Sequence, residues 1–425
     1  MDEKQMKSGA RILFLLCFIV YTASYVGRKV YSACLPDIMP ELEIDKDFGG
    51  YIATGFLAVY GAGQLISGII GDKVSPKQML FTGLLGQGIT VFMMGAANNK
   101  IFMLIVWCLS GAFSSMLWSP LIRALAEWLP RSRQSAAGMN IAATIPVGQV
   151  MSYLITGTTL KVSGWHASFY ACGTILIVCS FVWFFGIRSI KGYLTGIAGY
   201  KLVHDAADEN AAGNKAPVPA KKISLVSCIF TCGLLCAIGG IFTNGALING
   251  IGEWVPTYVT DTFNVSASTA STVSTIMPII GLSGAYIAGI IDKKVTKNEY
   301  ASSAVMFAAA FVSLGCLVLF GNRNMILAII LIAISNSAML GANNMILTFM
   351  PLRFGKVGRA SSVTGFLDAC SYAASALSTA VFGVLAKTGG WERTTAIWVM
   401  IAALGLAVCL IGIRPWKKGI ARLEA

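Results

Sequence analysis

The chain has 425 residues, 56% of them hydrophobic and only 12% charged, where soluble domains carry about 25% charge. That composition excludes a disordered chain or a coiled coil and speaks against a soluble multidomain enzyme. A net charge of +13 would suit a nucleic-acid partner if Lys and Arg shared a face. They fall instead in short clusters between long apolar runs, the pattern of a polytopic membrane protein with no nucleic-acid partner.

A bilayer core needs about 20 apolar residues in helix. Twelve runs meet this, at approximately 11–36, 49–70, 78–96, 101–128, 135–160, 166–187, 223–255, 268–291, 301–320, 324–350, 361–386 and 393–413. The expected fold class is therefore all-α, with twelve transmembrane helices. The first run is too long for a signal peptide, and no A-x-A-like cleavage site follows it. An even number of spans puts both termini on one side. Most of the 32 Lys and Arg lie in the loops of that side, against Lys46, Lys100, Lys161, Arg323, Lys387 and Arg393 on the other. The positive-inside rule makes the terminal side cytoplasmic, in a multi-pass protein of the plasma (inner) membrane. The polar segment 188–222 reads as a cytoplasmic linker between two six-helix bundles, 1–187 and 223–425.

The 11 Cys lie in or beside apolar runs and form no C-x-x-C pair, so no disulfide framework is indicated. Cys228, Cys232 and Cys236 share a helical face. A soft-metal site is conceivable there, but small apolar residues packed against neighbouring helices are the plainer reading. His166 and His204 stand alone in loops. No metal and no cofactor is expected, and no P-loop or ATPase signature occurs.

Gly63–Val74 (GQLISGIIGDKV) and Gly284–Val295 (GAYIAGIIDKKV) match at seven of twelve positions without a gap. Each closes the second span of its half, so the halves read as parallel repeats of a transporter. The stretch Gly68-Ile-Ile-Gly-Asp72-Lys73-Val-Ser-Pro-Lys77 resembles the G-x-x-x-D-[RK]-x-x-x-[RK] loop of the major facilitator superfamily. The resemblance implies a conformational motif of Gly68, Asp72, Lys73 and Lys77. In the second copy Asp292 arrives one residue early.

Charges within spans need a reason, since each costs at least about 2.5–3.5 kcal/mol at mid-bilayer. Arg28 shares a helical face with Tyr21, Tyr25 and Ser32. A guanidinium is the preferred bidentate donor to phosphate or carboxylate, so Arg28 reads as an anion ligand, or else as a structural partner of a buried carboxylate. Asp368, flanked by Thr364 and Tyr372 at four residues either way, reads as a proton carrier, as a ligand for a substrate hydroxyl or amine, or as the counter-ion of Arg28 or Lys29. Arg123 and Glu127, four residues apart at the end of span four, suit a gate or a structural pair. Glu253 shares a face with Asn249 and is a candidate coupling residue, while Asp37 reads as interfacial. Tyr60 and Gln64 share a face of span two. Asn140, Asn336 and Asn343 are softer candidates, equally readable as interhelical hydrogen bonds.

Four further motifs resemble the organophosphate:phosphate antiporter family, the glycerol-3-phosphate and hexose-phosphate transporters. They are Tyr21-x3-Tyr25-x2-Arg28-Lys29 with Leu35-Pro36, Trp118-Ser-Pro120-x2-Arg123-x4-Trp128, Trp165-His166-Ala167, and Glu253-Trp254-x-Pro256-Thr257-Tyr258. The resemblance implies phosphate binding at Arg28. The family's second phosphate arginine falls on Ile248, its span-two lysine on Gln64, and its span-five histidine near Thr144–Ile145, so half of the phosphate clamp is missing.

The expected protein is a secondary transporter of a small organic anion, a sugar phosphate, another organophosphate or a carboxylate, working by rocker-switch alternating access. Arg28 would anchor the anion among Tyr21, Tyr25, Tyr60, Gln64, Asn140, Asn249, Asp368 and Tyr372, with Asp368, Glu253, Arg123 and Glu127 in coupling or gating. Protons or a counter-transported anion would be its other partners, the lipid bilayer its solvent, and a monomer its state. The rivals are a multidrug exporter of the same fold and a non-transporting solute sensor. A membrane-embedded enzyme would need a nucleophile or metal constellation, and none is found.

Overall fold

The computed structural model describes residues 2–71, 74–129, 137, 140–195, 234–354 and 360–424, the side chains of 2–7, 68–69, 71, 126–128, 191–195, 360–362 and 421–424 excepted. The described residues form helices throughout, with no strand among them. In the N-terminal half these are α1 (Asp2–Glu41), α2 (Lys46–Gly71), α3 (Pro76–Met94), α4 (Lys100–Ser115, resuming as Trp118–Trp128), and α5 and α6, which are 144–163 and 165–195. In the C-terminal half they are α7 (Leu234–Gly245, Ala246–Ile251 and Gly252–Phe263), α8 (Ala267–Ser274, Ile276–Ile291 and Asp292–Thr296) and α9 (Glu299–Phe320). They end with α10 (Met325–Asn344, Met345–Phe349 and Met350–Arg353) and with α11 and α12, 360–389 and 391–424.

Eight segments are long and apolar enough to cross a membrane, and two of them, Thr144–Ile190 and Val363–Ile420, each hold two spans. With α2 at 26 residues and α3 at 19, about 39 and 28 Å at 1.5 Å per residue, the total is twelve. The helices overrun several expected limits: α1 continues past Pro36 and Pro40 to Glu41, and α6 continues to Thr195, so 188–195 is helix where a linker was expected. The rest of that linker, with Cys228 and Cys232, lies outside the described residues. Large apolar side chains such as Ile12, Leu15 and Ile19 face outward at helical spacing, which a lipid solvent permits.

The two halves repeat each other in detail. The corner between α5 and α6 is Gly164 (φ 76°, ψ −175°), and that between α11 and α12 is Gly390 (φ 70°, ψ −179°), a conformation open essentially to glycine alone. A tryptophan follows each. Trp165 Nε1 donates to Glu41 at the end of α1 (2.7 Å), and Trp391 Nε1 donates to Asp261 at the end of α7 (2.9 Å). Within each half, close helix approach depends on glycine: a Cβ at Gly111 of α4 would meet the Phe56 carbonyl of α2 at 2.6 Å, and one at Gly284 of α8 would overlap the Ser337 carbonyl of α10.

The cores show where the halves meet. One buried cluster holds only N-half residues nearer the terminal face, from Ala10 and Leu13 through Leu121 to Trp183 and Ile187. The other joins the opposite-face part of the N-half, including Tyr31, Ile52, Trp107 and Trp165, to C-half residues such as Trp254, Phe382 and Trp398, and runs on through the C-half to Trp416. The halves therefore share a core away from the termini. Polar contacts across the same junction are Thr54 to the Ala376 carbonyl (2.8 Å), Ser271 to the Tyr153 carbonyl (2.9 Å) and Ser268 to the Gly157 carbonyl (2.6 Å). At its rim Lys46 meets Asp261 (2.6 Å), and Lys387 meets Asp45 (2.8 Å) and Asp47 (3.0 Å). This conformation is closed on the face opposite the termini.

Candidate substrate site

Midway along α1, the chain places two consecutive cations, Arg28 and Lys29, both buried, at 8% and 9% exposure. Consecutive residues on a helix point about 100° apart, and the two meet different surroundings. Lys29 Nζ binds Glu253 of α7 at 2.5 Å, across the junction of the halves. Arg28 has no carboxylate among the described residues. Its Nη2 donates to the Ser114 carbonyl of α4 (3.3 Å), and its Nε is buried without a partner.

Aromatic rings supply the rest of the arginine's surroundings. Its Cζ lies 4.7 Å from the Tyr25 ring and 4.3 Å from the Tyr60 ring, within cation–π range. Tyr60 packs edge-on against Tyr372 of α11 (4.9 Å) and accepts a hydrogen bond from Gln64 at 2.5 Å. Tyr21 lies one turn nearer the terminus, packed on Tyr25 (5.5 Å) and Trp118 (5.1 Å).

Arg28, Lys29, Tyr25, Tyr60, Tyr372, Asn249 and Glu253 line one cavity of about 60 Å³, room for only a few waters. Asn249 is also held by Ser375 (2.9 Å). Five lining residues escaped the sequence reading: Ala53, Phe56, Leu57, Trp107 and Gln149. The two aromatics carry no sequence signal that separates them from ordinary core. Gln149 carries one, since it stands four residues before Tyr153 on the face of α5 turned toward α1.

Other candidates lie elsewhere. Asp368 is one turn from Tyr372 on the same face of α11, outside the cavity lining, half-buried, and without an ion pair among the described residues. It is not the counter-ion of Lys29, which Glu253 occupies, nor of Arg28. Asn140 is exposed at the terminal end of the N-half, away from the cavity. Arg123 Nη1 donates to the Val74 carbonyl in the α2–α3 loop (3.3 Å), a tie between loop and helix rather than a ligand position. Glu127 is helical, but its side chain, like Asp72 and Lys73, lies outside the described residues; Gly68 is helical in α2. Lys77 packs over the Phe184 ring (4.2 Å). Among the described residues no His, Cys, Asp and Glu cluster could hold a metal ion.

The family description Major Facilitator Superfamily matches residues 17–367. The chain belongs to that superfamily. It is a membrane transporter, built as two six-helix bundles, and not an enzyme. A probable hexose phosphate transport protein of Chlamydia trachomatis is 23% identical over 434 residues, covering 98% of this chain and 92% of that protein. The membrane sensor protein UhpC of Escherichia coli is 23% identical over 304 residues, 70% of this chain and 68% of its own length. The glycerol-3-phosphate transporter of Bacillus subtilis is 23% identical over 321 residues, 73% and 71%. Among solved structures, a bacterial homolog of the human lysosomal transporter Spinster, inward-facing and occupied, superposes with a TM-score of 0.70 at 14% identity, over 97% of this chain and 93% of that one; the likeness is one of fold.

Proposed function

We infer that the protein carries a small organic anion across the plasma (inner) membrane, termini in the cytoplasm, by rocking its two halves about a site centred on Arg28. One observation carries this: a buried guanidinium with no carboxylate partner among the described residues and an unpaired Nε. A buried cation in that condition costs several kcal/mol, and two ring faces plus one carbonyl offset only part of it. An anionic ligand completes the shell. The transporters named among the relatives carry hexose phosphate and glycerol 3-phosphate, which makes organophosphates the first substrates to try and carboxylates the second.

In the present conformation the opposite face is shut and the cavity is too small for such a solute, so loading requires the halves to part on the terminal face. Asp368 lies one turn from Tyr372 toward that face, without an ion pair among the described residues, and serves as the proton carrier if uptake is proton-coupled. A multidrug exporter for cations fits less well, because among the described residues the only carboxylate lining the cavity, Glu253, is already neutralised by Lys29. The relation to a sensor supports a second reading, in which the anion binds without net flux.

Purified protein in proteoliposomes decides between them. Uptake of labelled glucose 6-phosphate or glycerol 3-phosphate, absent in Arg28→Ala, is the result expected. Arg28-dependent binding with no flux in either direction points to the sensor, and uptake indifferent to Arg28 overturns both.

A further inference from the structure

We propose that the cavity is a monoanion site: it takes a ligand with a single negative charge on the group that meets Arg28, such as a phosphodiester, a carboxylate or a singly ionised phosphate monoester, and rejects doubly charged phosphates. The inference rests on the proposed anion-transport reading and deepens it.

Among the described residues, those lining the cavity that carry charge are Arg28, Lys29 and Glu253. Lys29 and Glu253 are in contact, with side chains only 11% and 13% exposed, so they cancel and present no free charge to a ligand. One uncompensated positive charge is left. The remaining polar lining, Tyr25, Tyr60, Tyr372, Gln149 and Asn249, is neutral. It offers hydroxyl and amide groups to an anion but no second cation. Tyr21 on α1 lies behind Tyr25, and Tyr153 on α5 is buried nearby. The next ionisable group along α11 is Asp368, one turn from Tyr372; it is a carboxylate, so when ionised it opposes a second ligand charge rather than meeting it. In a site of low dielectric, a ligand charge left unmatched is expensive. A monoanion makes the Arg28 site neutral. A dianion leaves a net negative charge among aromatic rings.

The ligand's own titration separates the two. A phosphate monoester loses its second proton with a pKa of about 6. The singly charged fraction therefore falls about 75-fold between pH 5.5 and pH 8.0, while a diester stays singly charged throughout. Glucose 6-phosphate and its 6-(methyl phosphate) diester serve as probes, with binding to full-length protein in nanodiscs measured at both pH values. The expected result is a monoester affinity that drops by tens of fold at pH 8.0 beside a diester affinity that moves less than about threefold. The diester also reports any titration of the protein itself, such as that of Asp368. Glu253→Gln, which releases Lys29 as a second cation, should narrow the gap between the probes at pH 8.0 by about tenfold. Equal or tighter monoester binding at pH 8.0 overturns the proposal while leaving the anion reading standing, provided Arg28→Ala abolishes it. Binding of neither probe, or binding unchanged in Arg28→Ala, overturns both together.

Discussion

Lys29 and Glu253 stand 224 positions apart in sequence and 2.5 Å apart in space, one from each half. The pair sits beside the cavity and ties α1 to α7 at the junction that is shut in this conformation. Removing one partner leaves a buried lone charge, at about 3–5 kcal/mol, whereas removing both is close to neutral. Lys29→Met or Glu253→Gln should each lower the melting temperature clearly, and the double variant should recover most of the loss. A double variant as unstable as the sum of the singles contradicts the pairing.

Closure of the opposite face is predicted to depend on Gly383. A Cβ there would meet the Lys46 carbonyl of α2 at 2.6 Å and Trp254 Cζ2 at 2.8 Å. Overpacking of this kind costs about 1–3 kcal/mol, a roughly 5- to 150-fold shift of a two-state equilibrium. In Gly383→Val, a cysteine replacing the cavity residue Ala53 should react faster with an impermeant thiol reagent added on the face opposite the termini. Unchanged labelling would show that the two halves do not part along α2 and α11.

Gly164 and Gly390 are predicted to be required for their backbone conformation alone, because a Cβ at either meets nothing within 4 Å. Gly164→Ala and Gly390→Ala should each cost about 1–3 kcal/mol. Gly315→Ala in the middle of α9, where a Cβ also meets nothing within 4 Å, should be neutral or slightly stabilising. Thermal unfolding of the three variants checks this, and equal melting points would refute it.

Asp368→Asn should abolish acceleration of uptake by an inward proton gradient while leaving equilibrium anion binding within a few-fold of the native value. Retained gradient dependence would remove Asp368 from coupling.

Much of this was legible in the chain because lipid makes charge conspicuous. Arg28, Lys29, Glu253 and Asp368 stand out in apolar runs, and the repeat at Gly63–Val74 and Gly284–Val295 announced the two halves. Pairing was not legible: Lys29 found Glu253, while Asp368 found no ion-pair partner among the described residues, and nothing in local spacing distinguishes those outcomes. Asn140 looked like a buried amide only because its neighbours are apolar; the helix turns it outward. Phe56 and Trp107 line the cavity from positions that a core aromatic would equally fill. The matched Gly164-Trp165 and Gly390-Trp391 corners are dipeptides too short to register as a repeat, and their equivalence appears only once both tryptophans are seen on carboxylates.

The central claim is that Arg28 receives the anion. Calorimetric binding of glucose 6-phosphate and glycerol 3-phosphate to native, Arg28→Lys and Arg28→Ala protein of equal thermal stability tests it most directly. Loss of a charged hydrogen-bond donor worth about 1.5–3 kcal/mol predicts affinity at least tenfold weaker in Arg28→Ala and only partly restored in Arg28→Lys, whose ammonium lacks the planar fork. A ligand bound equally well by all three proteins would contradict the account.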